Sequence, residues 1–135
     1  MGSLTPSFQL HDVQSGDARF SSGALTLDTL RAVRNLKFAP EDLQRVLATD
    51  RDTVQRVLHH EQEVRPDSDM GAHALRLVRL NRALGDVFGA QHRVQEWLST
   101  WHPELDGRPG DLIHTAVGLQ RVLAHIESHA KDFAW

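Results

Sequence analysis

The chain has 135 residues, 40% hydrophobic and 24% charged, a formal net charge of −3 and no cysteine. Those values fit one globular domain or two very small units sharing a core, and they exclude a disulfide framework and a thiolate metal site. They also exclude a wholly basic nucleic-acid binder. Residues 1–66 hold eight Lys/Arg and nine Asp/Glu, and residues 67–135 hold seven and nine, so any DNA affinity has to come from local placement. No apolar run approaches the ~18 residues that span a bilayer, and no basic-then-apolar leader opens the chain. A bacterial cytoplasmic protein without membrane contact is expected.

Residues 1–22 mix Ser, Gly, Pro and Asp with isolated Phe8, Leu10, Val13 and Phe20. Neither a 2.0 nor a 3.6 period holds, so the segment reads as a flexible arm. The sharper alternative has Phe8 and Leu10 packing on a partner chain.

From Leu25 the pattern is helical. Leu27, Leu30, Val33 and, loosely, Leu36 share a face, with Thr26 as the expected N-cap. Pro40 suits the first position of a second helix, Glu41 and Asp42 suit its first turn, and Leu43, Val46 and Leu47 form its buried side. Asp50 then caps a third helix whose inward face is Val54, Val57 and Leu58. Two short helices joined by a three-residue turn have the geometry of a helix-turn-helix, whose second helix enters the major groove. Its outward candidates here are Arg51, Thr53, Gln55 and Arg56, types that suit readout of base edges. Asp50 and Asp52 oppose phosphate attraction. The bland alternative is a small helical bundle with a solvated polar face. This unit spans residues 23–66.

His59 to Gly71 is polar, broken by Pro66 and Gly71, and reads as a linker or long loop. Its adjacent histidines point in different directions on a helix end and are read as solvated. The second unit, residues 67–135, begins with a helix over Ala72–Phe88, striped by Leu77, Leu80, Leu84, Val87 and Phe88. Arg76, Arg79 and Arg82 follow at i, i+3 spacing on the opposite side. Such a stripe is ordinarily a solvated face, with a partner or phosphate contact as the sharper reading.

Gly89 stops this helix. The next is expected to turn Val94, Trp97, Leu98 and Trp101 inward. Pro103, Gly107 and Pro109 impose an irregular loop that Leu105 plugs into the core, and Pro109 opens a short helix burying Leu112 and Ile113. Thr115 caps the last helix, which buries Leu119, Val122, Leu123 and Ile126. Gly118 in its first turn costs ~1 kcal/mol against alanine, which points to a close helix approach. His125 and His129 have the spacing of a helical metal pair, but no third ligand accompanies them and no metal or cofactor is expected. No phosphate loop, cysteine or nucleophile elbow appears, and an enzyme is not expected.

The ordered positions Phe88-Gly89, Trp97-Leu98, Pro103, Leu105, Gly107-Arg108-Pro109, Leu112-Ile113, Gly118, Val122 and Ile126 resemble the toxin-binding domain of the Xre/MbcA/ParS-like antitoxins, over about half of the chain. The resemblance implies an all-α protein, with a helix-turn-helix-like unit followed by a helical toxin-binding domain. It implies a homodimer that neutralises a RES-domain toxin, one that consumes NAD or transfers ADP-ribose from it. It further implies a C-terminal segment, here His129, Lys131, Asp132, Phe133, Ala134 and Trp135, entering the toxin's NAD-binding cleft. An aromatic tip suits an apolar pocket. The Arg76, Arg79 and Arg82 stripe is a second expected toxin contact. Operator DNA is a further implied partner. The alternative from another class is a dimeric transcriptional repressor whose C-terminal unit only dimerises.

Overall fold

The computed structural model describes residues 21–129. Among them are seven helices and no strand: α1 (Ser22–Leu36), α2 (Pro40–Leu47), α3 (Arg51–Leu58), α4 (Asp69–Phe88), α5 (Gln91–Leu98), α6 (Pro109–Leu112) and α7 (Ala116–Ser128). The all-α expectation holds. Residues 1–20, and with them Phe8 and Leu10, lie outside the described residues.

The helix α4 is the spine. It packs along α1 on one side and α7 on another, with α2 and α5 against it as well, while α3 rests on α2 and α6 lies between α5 and α7. One buried cluster runs through all of this, from Leu25 and Leu43 through Leu77 and Leu84 to Leu119 and Ile126.

The starts of the helices follow local chemistry. The carboxylate of Asp50 accepts from the Thr53 amide at 2.7 Å, and the hydroxyl of Thr115 accepts from Gly118 at 3.1 Å. Each satisfies one of the amides a helix leaves unpaired in its first turn. Ala39 has no capping side chain, so Asp42 reaches back to accept from its amide at 2.8 Å. The buried sides of α2 and α7 are those expected from the sequence, and Leu105 is buried as expected; in α3, Val54 and Val57 are buried as expected, but Leu58 is only half-buried and Thr53 takes a place in the core.

Three expectations are corrected. First, α1 begins at Ser22 with Ser21, not Thr26, as its cap, so the last residue of the expected arm joins the helix and the one before it caps it. Its buried face is Leu25, Thr26, Thr29, Ala32 and Leu36, while Leu27 is 56% exposed. The reason is hydrogen bonding: Thr26 and Thr29 donate to the carbonyls of Ser22 and Leu25 at 2.6 and 2.7 Å, which lets two hydroxyls enter the core. Second, the polar connector is anchored. Val64 is fully buried and its amide donates to the Thr26 hydroxyl at 2.8 Å, and α4 starts at Asp69, capped by Ser68. Third, α5 ends at Leu98, which leaves Trp101 beyond the helix and 55% exposed.

The turn at Gly89 has φ +79°, in the region that favours glycine. At Gly118 the requirement is space: a Cβ there would collide with the Leu112 carbonyl. This is the close approach expected from its place in the helix, and it lets α6 lie against the first turn of α7.

A polar clasp closes one end of the bundle. The Asn35 carbonyl accepts from Gln91 at 2.6 Å and from Gln95 at 2.8 Å, and its side chain donates to Asn81 at 3.3 Å. The end of α1 is thereby tied to both α4 and α5.

Candidate functional site

The densest functional chemistry lies where α4 ends, α5 passes and α7 finishes. Because Gly89 turns the chain sharply, α5 sets the Trp97 ring against Phe88 at 5.5 Å between centroids. His102, in the following loop, packs on the same indole at 4.8 Å. That loop is held in shape by a backbone pairing of His102 with Gly107 and by Arg121 of α7, whose guanidinium donates to the Leu105 carbonyl at 3.0 Å.

From α7, His125 stacks over Trp97 with centroids 6.4 Å apart, and His129 packs on His125 at 4.6 Å. The His125 side chain is only 9% exposed. Burial lowers its pKa below the ordinary value. The neighbouring His129 and His102 charges act in the same direction, and Glu104, 3.8 Å away, opposes them. A neutral imidazole is the form that stacks on the indole at neutral pH. Among the described residues no group of three side chains is arranged to hold a metal ion.

Outside this stack lies a groove of about 640 Å³, lined by Phe88, His92, Arg93, Glu96, Trp97, Thr100 and His102. Its floor is aromatic and its rim carries both signs of charge. His92, Arg93 and Glu96 are exposed. Sequence reading missed the groove, because its shape depends on the loop that brings His102 back to Trp97. The signal available in sequence was the polar face of α5, which in isolation reads as solvated.

The three arginines of α4 are spent within the molecule. Arg79 reaches both Glu127 oxygens at 2.7 Å, clamping α4 to α7. Arg82 pairs with Asp28 of α1 at 3.0 Å. Arg76 lies 3.2 Å from His73 on its own helix. His129 closes α7, with Nδ1 3.0 Å from the His125 carbonyl. Lys131, Asp132, Phe133, Ala134 and Trp135 lie outside the described residues.

At the other end, α2 and α3 meet through Ala48, Thr49 and Asp50. Thr53, expected outward, is 8% exposed; its amide is held by Asp50 and its hydroxyl accepts from Arg56 at 3.2 Å. The Thr53 amide also holds the Asp50 carboxyl below its ordinary pKa. Arg56 is further turned toward Gln62, to which Nε donates at 2.8 Å. Of the four outward candidates, Arg51 and Gln55 share a small cleft with Pro40, Glu41, Gln44 and Val54. No helix is long and apolar enough to cross a membrane among the described residues.

Residues 83–130 match the family model of the antitoxin Xre/MbcA/ParS C-terminal toxin-binding domain. No curated protein matches the chain.

Proposed function

We propose that the chain, whose residues 83–130 match the model of the Xre/MbcA/ParS antitoxin C-terminal toxin-binding domain, neutralises a cognate RES-domain toxin by binding it. The single observation that carries this reading is that match. It covers the end of α4, all of α5, α6 and α7, and the aromatic stack they build around Trp97. The toxin, in this reading, degrades NAD or transfers ADP-ribose from it. The antitoxin acts as a homodimer within a larger complex, in the bacterial cytoplasm, without catalysis or a cofactor of its own. Residues His129 to Trp135 enter the toxin's NAD-binding cleft, where Phe133 and Trp135 fill apolar space and Asp132 meets the basic groups that hold a dinucleotide's phosphates.

The arginine stripe on α4 is a weaker candidate for the contact, because Arg79 and Arg82 already clamp α4 to α7 and α1. The expected partition is therefore a tail that inserts and a helical body that positions it. Co-expression tests this directly: the full chain restores growth of cells making the toxin, and a chain lacking Lys131–Trp135 does not.

A second reading, repression of an operator through α2 and α3, is favoured by the three-residue turn between them and by the placement of Arg51 and Gln55. Asp52 and Glu41 work against it electrostatically. Changing Arg51 and Gln55 to Ala should abolish a specific shift of promoter DNA and reduce its salt dependence. An unmodified chain that gives no specific shift at low salt would remove this reading.

A further inference from the structure

We infer that Trp101 is an anchor by which the helical body holds the toxin, separately from the tail; the inference rests on the toxin-binding reading above. Three observations converge on it. The first is exposure. Among the described residues three large apolar side chains are exposed, and two of them, Trp101 at 55% and Val117 at 75%, lie inside residues 83–130. Among the described residues no ring packs on Trp101 and its indole N–H has no acceptor, whereas Trp97 is buried among rings. An indole combines a large apolar area with one hydrogen-bond donor, and leaving it half in water is unfavourable until a partner covers it.

The second is presentation. The backbone on both sides of Trp101 is already fixed. Before it, the hydroxyls of Ser99 and Thr100 donate to the carbonyls of Gln95 and Glu96 at 2.9 and 2.8 Å, closing the end of α5. After it, the His102 amide donates to the Gly107 carbonyl at 2.9 Å, and the His102 ring packs on Trp97. A partner that buries the indole therefore has no backbone to order, which is the condition under which one side chain contributes most to binding.

The third is the surround. The loop that Trp101 opens carries exposed Glu104 and Arg108, a polar border of both signs around an apolar centre. Arg121, one helical turn beyond Val117, donates to the Leu105 carbonyl of this loop, so the first turns of α7 adjoin it. Trp101, the loop and Val117 all fall within the region that matches a toxin-binding domain. The partner is accordingly the toxin, and the chemistry it has to offer is an apolar pocket of indole width with an acceptor for the N–H. A tail that enters a cleft and an indole seated elsewhere on the same toxin bind as two linked contacts, each raising the occupancy of the other.

The test uses the full chain and the cognate RES-domain toxin. Trp101→Ala is expected to melt within about 2 °C of the parent, as an exposed position should. Calorimetry is expected to show about 30-fold weaker toxin binding, the scale of one central anchor, with part of the loss recovered by Trp101→Phe. In the unmodified chain labelled with fluorotryptophan, the fluorine signal that is absent from Trp101→Phe is expected to shift when toxin is added. Toxin affinity of Trp101→Ala equal to the parent's overturns the anchor and leaves toxin binding standing, as does an unmoved fluorine signal while the toxin binds. A parent chain that does not bind the toxin removes the reading on which the anchor rests, and the anchor with it. If Trp101→Ala instead separates a self-associated parent in sedimentation runs without toxin, a second copy covers the residue, which overturns the inference.

Discussion

The Val64 amide donates a 2.8 Å hydrogen bond to the Thr26 hydroxyl, 38 residues earlier and inside the core. The same hydroxyl donates to the Ser22 carbonyl, so it is satisfied in both directions. This pair fixes the connector between α3 and α4 onto α1, and it explains why a threonine occupies a buried helix face. Thr26→Val keeps the shape and orphans a buried amide. An unfolding free energy lower by ~1–3 kcal/mol is expected from denaturant titration, and Thr26→Ser is expected to recover most of it.

Two glycines should answer an alanine substitution with opposite signs. A Cβ at Gly118 would collide with the backbone carbonyl of Leu112, whereas one at Gly85 meets nothing within 4 Å. Gly118→Ala should destabilise the fold by about 2 kcal/mol or more, because a backbone atom has to move. Gly85→Ala, in the exposed middle of a helix turn, should stabilise it by up to about 1 kcal/mol. Thermal melts of the two variants beside the parent chain decide the matter.

The His125 stack makes stability depend on pH. Its pKa is lowered in the folded chain by burial first, then by His129 and His102 against the opposing Glu104. The unfolded chain therefore binds the proton first as pH falls. Stability from this group is fully present above the ordinary histidine value of about 6.5 and is lost as pH falls from there through the folded pKa. Denaturant midpoints measured down from pH 8 should fall below that value, and His125→Phe, which keeps a ring against Trp97, should flatten the decline. An unchanged slope in that variant would assign the decline to other groups.

Much of the fold was legible because α2, α3 and α7 bury leucine, valine and isoleucine at helical spacing, and because Asp50 and Thr115 cap where their types predict. What misled in α1 was polarity. Leucine at position 27 reads as core and threonine at positions 26 and 29 as surface, yet backbone carbonyls accept the threonine hydroxyls and reverse the two. Trp101 misled because its burial required one more helical turn than α5 has. The clasp at Asn35 and the groove at Trp97 depend on contacts between residues far apart in sequence, Asn35 with Gln95 and Trp97 with His125. Periodicity, a local signal, carries no information about them.

The binding of toxin by the tail is tested most directly with purified components. A cognate RES-domain toxin is titrated with the full chain and with a chain ending at Ala130, and toxin-catalysed NAD consumption is followed. The account predicts that the full chain stops NAD consumption at stoichiometric amounts, while the shortened chain, folded by circular dichroism and still associating with the toxin, leaves most of it running. Equal inhibition by the two chains would contradict insertion of the tail, and absence of inhibition by the full chain would contradict the neutralisation itself.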